Sequence, residues 1–389
     1  MKQIKAQYGF PLFVNGNSTD YLLKAEKIRV SDIWALWHYI IKSEKKRFPG
    51  RTNYSFLLSV LEQAQYFYEA ASLAPIKSQP LLYYYSFLNI AKAAIVLKDS
   101  NLLLSGLEFN HGIDSCKING NYQLHDCFVL IKNLKDTTGT SQKISVAYEL
   151  ARLFGDDIEF KLPNPAGHDN GPWKIDVISL LKSCIGIHRT VSETFKVQES
   201  FVRIEDPIIE KGGRLLSYKG FISATPNVRS LLNAAGYNLQ EINQKWYFKE
   251  DFNMPSSNLS RSIFHSFSGD LLAKGLWTYT TGDEYRLYIN SNHLIKNIDK
   301  YVFLPLNTTQ PNIQKLTLSS ATIIYYLMFF FGSITRYHPY LFEKVLSEKE
   351  IWLVSEFLKT QPLQFILLLT SKIIGKPLYT SRMPFISNI

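Results

Sequence analysis

An α+β fold dominated by helices is what this sequence predicts, with N- and C-terminal helices packed as one bundle around a central mixed α/β insertion. Three observations carry that prediction. Long apolar segments at helical period occupy both ends, the middle alternates polar and apolar residues between Gly and Asn turns, and hydrophobic residues make up 46% of the chain, aromatics 14%. Such a composition supports a packed, aromatic-rich core. At 389 residues the chain exceeds what one core ordinarily serves. The expected division is a helical unit over 1–104, an α+β region over 105–312 and a helical unit over 313–389 that packs on the first.

After an extended start, SDIWALWHYIIKS places apolar residues at Ile33, Trp34, Trp37, Ile40 and Ile41 behind a Ser31 cap. TNYSFLLSVLEQAQYFYEAASLAP repeats the period through Leu57, Leu61, Ala64, Phe67 and Ala71. Pro75 and Pro80 then bracket a short link into a third helix, PLLYYYSFLNIAKAAIVLKDS. From Leu102 the pattern changes, and alternation predicts a strand from Tyr122 to Ile131. Helices are expected from Ser141 and from Asp176, and strands in ESFVRIEDPIIEKGGRLLSYKGFIS, RSIFHSF and DEYRLYINSN, with EKGGRLL as a tight hairpin. Helices return in TLSSATIIYYLMFFFGSITRY, PYLFEKVLSEKEIWLVSEFLKT and PLQFILLLTSKII.

Charge bounds the partners. Forty-three Lys and Arg against thirty-three Asp and Glu give a net charge of +10, a field that favours polyanions. The runs KSEKKRFPGR and KPLYTSRM are modest, so the same excess also fits an ordinary solvated surface. Cys116, Cys127 and Cys184 form no CxxC pair and are odd in number, as expected of a reducing compartment. With no leader-like apolar segment in MKQIKAQYGFPLFVNGNSTD, the expected location is cytoplasmic. The longest apolar run, ATIIYYLMFFFGSI, falls short of the roughly 20 residues a membrane span needs, and reads as a buried helix.

Several polar groups stand out as site candidates. Tyr85, Asn89 and Lys92 follow one another at spacings of four and three residues, so they share one face of an otherwise apolar helix. Such a stripe is either a satisfied network with a neighbour such as Gln63, or a pocket in which Lys92 meets an anion. In SITRYHPY, Pro339 disfavours a helical His338, so one helix ends there and another begins. Arg336 then lies in a last turn, where the helix dipole favours a cation, and Arg336 with His338 is the candidate catalytic pair. His111, Cys116, His125 and Cys127 are ligand types close in sequence, yet Val129 and Ile131 continue the same strand face as core. No phosphate loop, dinucleotide fingerprint or nucleophile elbow is present, and no cofactor is expected. The Ser, Arg, His and Asp of NLSRSIFHSFSGD read as a polar strand edge.

LEQAQYFYEAASLAPIKSQPLLYYYSFLNIAKAAIVL, the pair His111 and Gly112, and FFFGSITRYHPYLF together resemble the YaaC-like family of bacterial proteins, a group without an assigned function. Its recurring polar marks fall on Gln63, Asn89, Lys92, His111, Arg336, Tyr337 and His338. The resemblance implies an intracellular bacterial protein and no particular activity. The expected function is a non-catalytic binding or adaptor subunit contacting protein or nucleic acid, in an anti-phage defence or nucleic-acid-processing complex, with a protein partner or a second copy of itself. The alternative is a metal-independent ribonuclease similar to the HEPN enzymes. Their signature sets several residues between Arg and His, whereas Tyr337 alone separates Arg336 from His338. Arg286 and His293 match that spacing formally, in a segment read as strand and loop.

Overall fold

The computed structural model describes residues 2–5, 28–45, 51–104, 106–117, 123–134, 143–154, 156, 172–199, 201–212, 215–222, 226–234, 238–242, 245–253, 295–296, 302–305, 318–374 and 378–379. RSIFHSF, DEYRLYINSN, Arg286 and His293 lie outside them. The described residues are predominantly helical with short strands, an α+β protein as expected. They belong to two compact units, the first formed by Met1–Trp37, Val202–Pro305 and Thr370–Ile389, the second by His38–Phe201 and Leu306–Leu369.

The first unit is built on a seven-stranded sheet. Strands β1 (Lys2–Lys5), β8 (Phe201–Gly212), β9 (Leu215–Ile222), β10 (Asn238–Ile242), β11 (Lys245–Asn253), β12 (Ile295–Lys296) and β13 (Val302–Pro305) run in the order β10-β11-β9-β8-β13-β12, with β1 also on β8. The hairpin expected at EKGGRLL closes β8 on β9 with Gly212 opposite Leu215. Their register slips between Glu205 and Ile208, where Pro207 has no N–H to give to the ladder. Helix α8 (Pro226–Ala234) sets the Arg229 guanidinium 4.4 Å above the Trp246 ring. Strands β2 (Ile28–Arg29) and β14 (Leu378–Tyr379) pair in parallel. Helix α1 (Ile33–Ser43) is capped by Asp32 and not by Ser31, since the Trp34 and Ala35 N–H groups donate to Asp32 Oδ1 at 2.9 and 3.0 Å.

The second unit holds the helices of both chain ends. Helices α2 (Arg51–Leu73) and α3 (Gln79–Lys98) form a hairpin, and α3 is followed by one short turn, α4 (Asn101–Leu104). α3 is buried on most of its circumference, from Pro80 to Leu97, as an apolar helix must be when other elements surround it. It is long and apolar enough to cross a membrane by length and composition, and 72% of that window is buried by its neighbours. Helix α9 (Ser320–Tyr337) packs on it, and every residue from Ser320 to Ile334 is buried. The helices cross where Gly332 meets Tyr84, since a Cβ at 332 would lie 3.0 Å from the Tyr84 Cβ and 3.3 Å from the Pro80 carbonyl. Helix α11 (Glu350–Ile374) stacks Phe365 on Phe87 of α3, ring centroids 4.0 Å apart.

Around this bundle lie a three-stranded sheet, β4 (Ile113–Lys117), β5 (Cys127–Ile131) and β7 (Trp173–Asp176), and a parallel pair, β3 (Phe109–Asn110) with β6 (Ile144–Ser145). β6 leads into α5 (Val146–Phe154). The strand expected from Tyr122 begins only at Cys127, because Leu124–Asp126 winds as a 3₁₀ turn. His125 therefore does not share a strand face with Cys127, and its ring is mostly exposed. The helix expected from Asp176 is two, α6 (Val177–Ser183) and α7 (His188–Phe195), parted where Gly186 takes a φ of +105°. α10 (Pro339–Ser347) ends before Glu348, so PYLFEKVLSEKEIWLVSEFLKT is not one helix. Conversely, Pro362 does not open a helix but sits inside α11, where burial of Phe357, Leu358, Gln361 and Phe365 outweighs the lost backbone hydrogen bond.

A single glycine anchors the β3–β4 connection. Gly112 has a φ of +65°, and a Cβ there would fall 1.7 Å from Ser145 Oγ, which itself accepts a 3.3 Å bond from the Tyr148 N–H at the start of α5. Gly112→Ala is expected to destabilise the protein by roughly 2–4 kcal/mol, the left-handed backbone and the clash acting together. Urea unfolding midpoints measure it, and an unchanged midpoint would mean that the loop rebuilds freely.

Candidate functional site

The polar stripe of α3 lies in the seam between α2 and α9. Tyr85 stands between the two, its ring 5.3 Å from Phe67 of α2 and its hydroxyl accepting a 2.8 Å hydrogen bond from Arg336 Nη1 of α9. Tyr85 of the α3 stripe and Arg336 of the C-terminal motif thus meet. One helical turn on, Asn89 is 5% exposed and donates through Nδ2 to Gln63 Oε1 of α2 at 3.4 Å. Lys92 donates to Asn89 Oδ1 at 3.5 Å. Burial lowers the Lys92 pKa from its usual value, with no neighbouring charge among the causes.

Below the stripe the seam is aromatic. Tyr84 meets Phe329 edge to face at 5.3 Å and lies 6.3 Å from Tyr325, and burial raises the pKa of both phenols. Phe329 in turn faces the His111 ring at 5.9 Å. His111 is exposed and shaped locally, its Nδ1 accepting from the Ile113 N–H at 3.4 Å and its carbonyl from the Ala147 N–H at 3.1 Å. Its partners are those of a loop that sets the ring against Phe329 in the middle of α9.

At the far end of the seam, α9 stops where expected. His338 leaves the helix at φ −136° and ψ 56°, and Pro339 starts α10. The His338 carbonyl accepts the Phe342 N–H at 3.2 Å, which ties the two helices at this corner. Arg336 sits 5.0 Å over the Tyr337 ring, and Tyr337 and Tyr340 are 63% and 74% exposed. The corner is steadied by Lys77, paired with Glu343 at 2.8 Å. Arg336, His338, Tyr337 and Tyr85 therefore gather at this corner, Gln63, Asn89 and Lys92 continue along α3, and His111 reaches the seam through Phe329.

Two polar clusters went unread in the sequence. Asp156, 2% exposed, accepts from the Ser319 N–H at 3.0 Å, from Ser319 Oγ at 2.8 Å and from Thr322 Oγ1 at 2.6 Å, so a carboxylate from the loop after α5 caps α9 together with its own Ser319. The signal within reach was the Ser-Ser-Ala-Thr start of that helix, which demands a cap but does not name the partner. The second cluster is interior. Cys184, its pKa raised by burial, lies 3.7 Å from Gln361 Oε1, and buried His188 has its pKa lowered to about 4 by desolvation and by Arg189. Among the described residues no group of three or more His, Cys, Asp or Glu is placed to hold a metal ion.

Fold and site together define a helix-rich α+β protein with a polar seam between its terminal helices. No curated protein and no solved structure matches the chain. The family model described as YaaC-like Protein matches residues 21–373. The chain is a member of the YaaC-like family.

Proposed function

We propose that this chain is a non-catalytic binding or adaptor protein of the bacterial cytoplasm, contacting protein or nucleic acid within a larger defence or nucleic-acid-processing complex. One observation carries the reading. Arg336 is held at an exposed corner by the Tyr85 hydroxyl and the Tyr337 ring, with Tyr337 and Tyr340 open to solvent beside it. Arg and Tyr are the residues that most often anchor interfaces, and a guanidinium fixed by neighbours loses little freedom on binding. Asn89 and Lys92 face each other and Gln63 instead of the corner, with Lys92 about 10 Å along the helix axis from Tyr85. That separation favours a contact surface over one compact phosphodiester-cleaving site.

The test combines binding and cleavage of labelled RNA and DNA, at low and moderate salt, with affinity capture from a bacterial lysate. Wild type, Arg336→Ala and the Arg336→Ala, His338→Ala double variant are compared after folding is verified. The expected result is no cleavage by any of them, and a loss of about 10-fold or more in partner affinity on Arg336→Ala. Steep salt dependence identifies nucleic acid as the partner. Cleavage by wild type that disappears in the double variant would establish the metal-independent ribonuclease instead.

A further inference from the structure

Among the described residues no acidic group pairs with Lys92 of the seam. Lys92 is half-buried on α3, and its one hydrogen bond, 3.5 Å to the neutral Asn89 Oδ1, is longer than a good N–H···O contact. Asn89 is itself almost fully buried and reaches Gln63 Oε1 at 3.4 Å, again a long contact. A partly desolvated ammonium costs free energy unless a negative group meets it. Its surroundings show how little offsets that cost. Its neighbours one turn away on α3 are Leu88 and Asn89 before it and Ile95 and Val96 after it, so Asn89 is the one polar side chain among them.

The donors fit an anion. Lys92 has three N–H donors and the Gln63 amide two, while Asn89 Oδ1 and Gln63 Oε1 accept long bonds from within the cluster. An ammonium acting as a point charge beside amide donors is a common way to hold a tetrahedral oxyanion. The protein's +10 charge raises the local concentration of such ligands.

We propose that Lys92, Asn89 and Gln63 form a phosphate-binding site in the α2–α3 seam, taking either a small phosphate monoester or a phosphate of a nucleic-acid backbone. The site rests on the reading of the chain as a binding protein and is separate from the Arg336 corner. Burial lowers the Lys92 pKa below that of a surface lysine, and a bound anion opposes that shift and covers the amine, so labelling of this amine reports on the site.

The experiment is competitive lysine labelling of the full chain near neutral pH with mass-spectrometric readout. It uses no addition, inorganic phosphate, adenosine monophosphate, or a single-stranded RNA oligomer, with Lys77, exposed and paired with Glu343, as internal control. The expected result is that a phosphate ligand slows labelling of Lys92 at least about fivefold and leaves Lys77 unchanged. Protection by inorganic phosphate or the mononucleotide identifies a small-molecule site, and protection by the oligomer alone identifies the backbone as source. Lys92→Gln, where it folds, removes the calorimetric heat of binding of whichever ligand protects. Equal labelling of Lys92 in all four conditions overturns the site. That outcome leaves the partner-contact reading to the Arg336→Ala test, which does not involve Lys92.

Discussion

Asp156→Ala is expected to destabilise the protein by roughly 3–5 kcal/mol. The carboxylate accepts from the Ser319 N–H and from two hydroxyls in a site where it is 2% exposed, so its removal takes the side-chain acceptor from the Ser319 N–H and leaves the hydroxyls of Ser319 and Thr322 only each other, at 2.9 Å. The helix dipole adds to the loss, because a negative group at the first turn is taken away. Asp156→Asn keeps the shape and one acceptor oxygen, and is expected to lose about half as much. Urea unfolding followed by circular dichroism separates the two. Equal midpoints for wild type and the alanine variant would mean that water replaces the carboxylate.

Acidification gives the second large effect. The His188 pKa lies near 4 in the folded protein against an ordinary 6.5. Between those values the unfolded chain binds a proton that the native chain refuses, so the unfolded state holds more protons and stability falls as the pH falls. The shift corresponds to about 3 kcal/mol, present in full above pH 6.5 and lost by about pH 4. His188 sits in α7 with its ring edge-on to Phe201 at 5.4 Å, in an environment that favours the neutral imidazole. His188→Gln removes this component while the other acid-titrating groups remain. The difference in urea midpoint between wild type and variant should therefore narrow between pH 7 and pH 4.5. A difference that stays constant with pH would show that the imidazole titrates as it does in water.

Much of the helical architecture was legible because burial imposes a period. Leu57, Leu61, Ala64 and Ala71 recur on one face of α2, and all are buried. The unbroken apolar run from Ala321 to Ile334 could only be an interior helix, and it is buried throughout. Helix boundaries were harder to read. Gly186 divides α6 from α7 through a positive φ that a periodic pattern does not display, and Pro362, locally a stop signal, lies within α11 because its neighbours are core. The strand at β5 was shortened for a similar reason, as alternation continues through a 3₁₀ turn without revealing it.

The candidate site was legible in its parts. Spacing alone put Tyr85, Asn89 and Lys92 on one face of α3, and Pro339 alone placed the corner at His338. Family membership follows from the sequence as well. What the sequence by itself determined is therefore local, since periodicity, proline and capping residues act over a few positions of chain. Only the tertiary structure decided that Arg336 bonds Tyr85, 251 positions away, that Gly332 is the point where α9 crosses α3, and that Asp156 caps a helix 163 positions later. Those contacts depend on which faces of distant helices pack together, and that choice is made by the shape and volume of whole side-chain surfaces, which no short segment encodes.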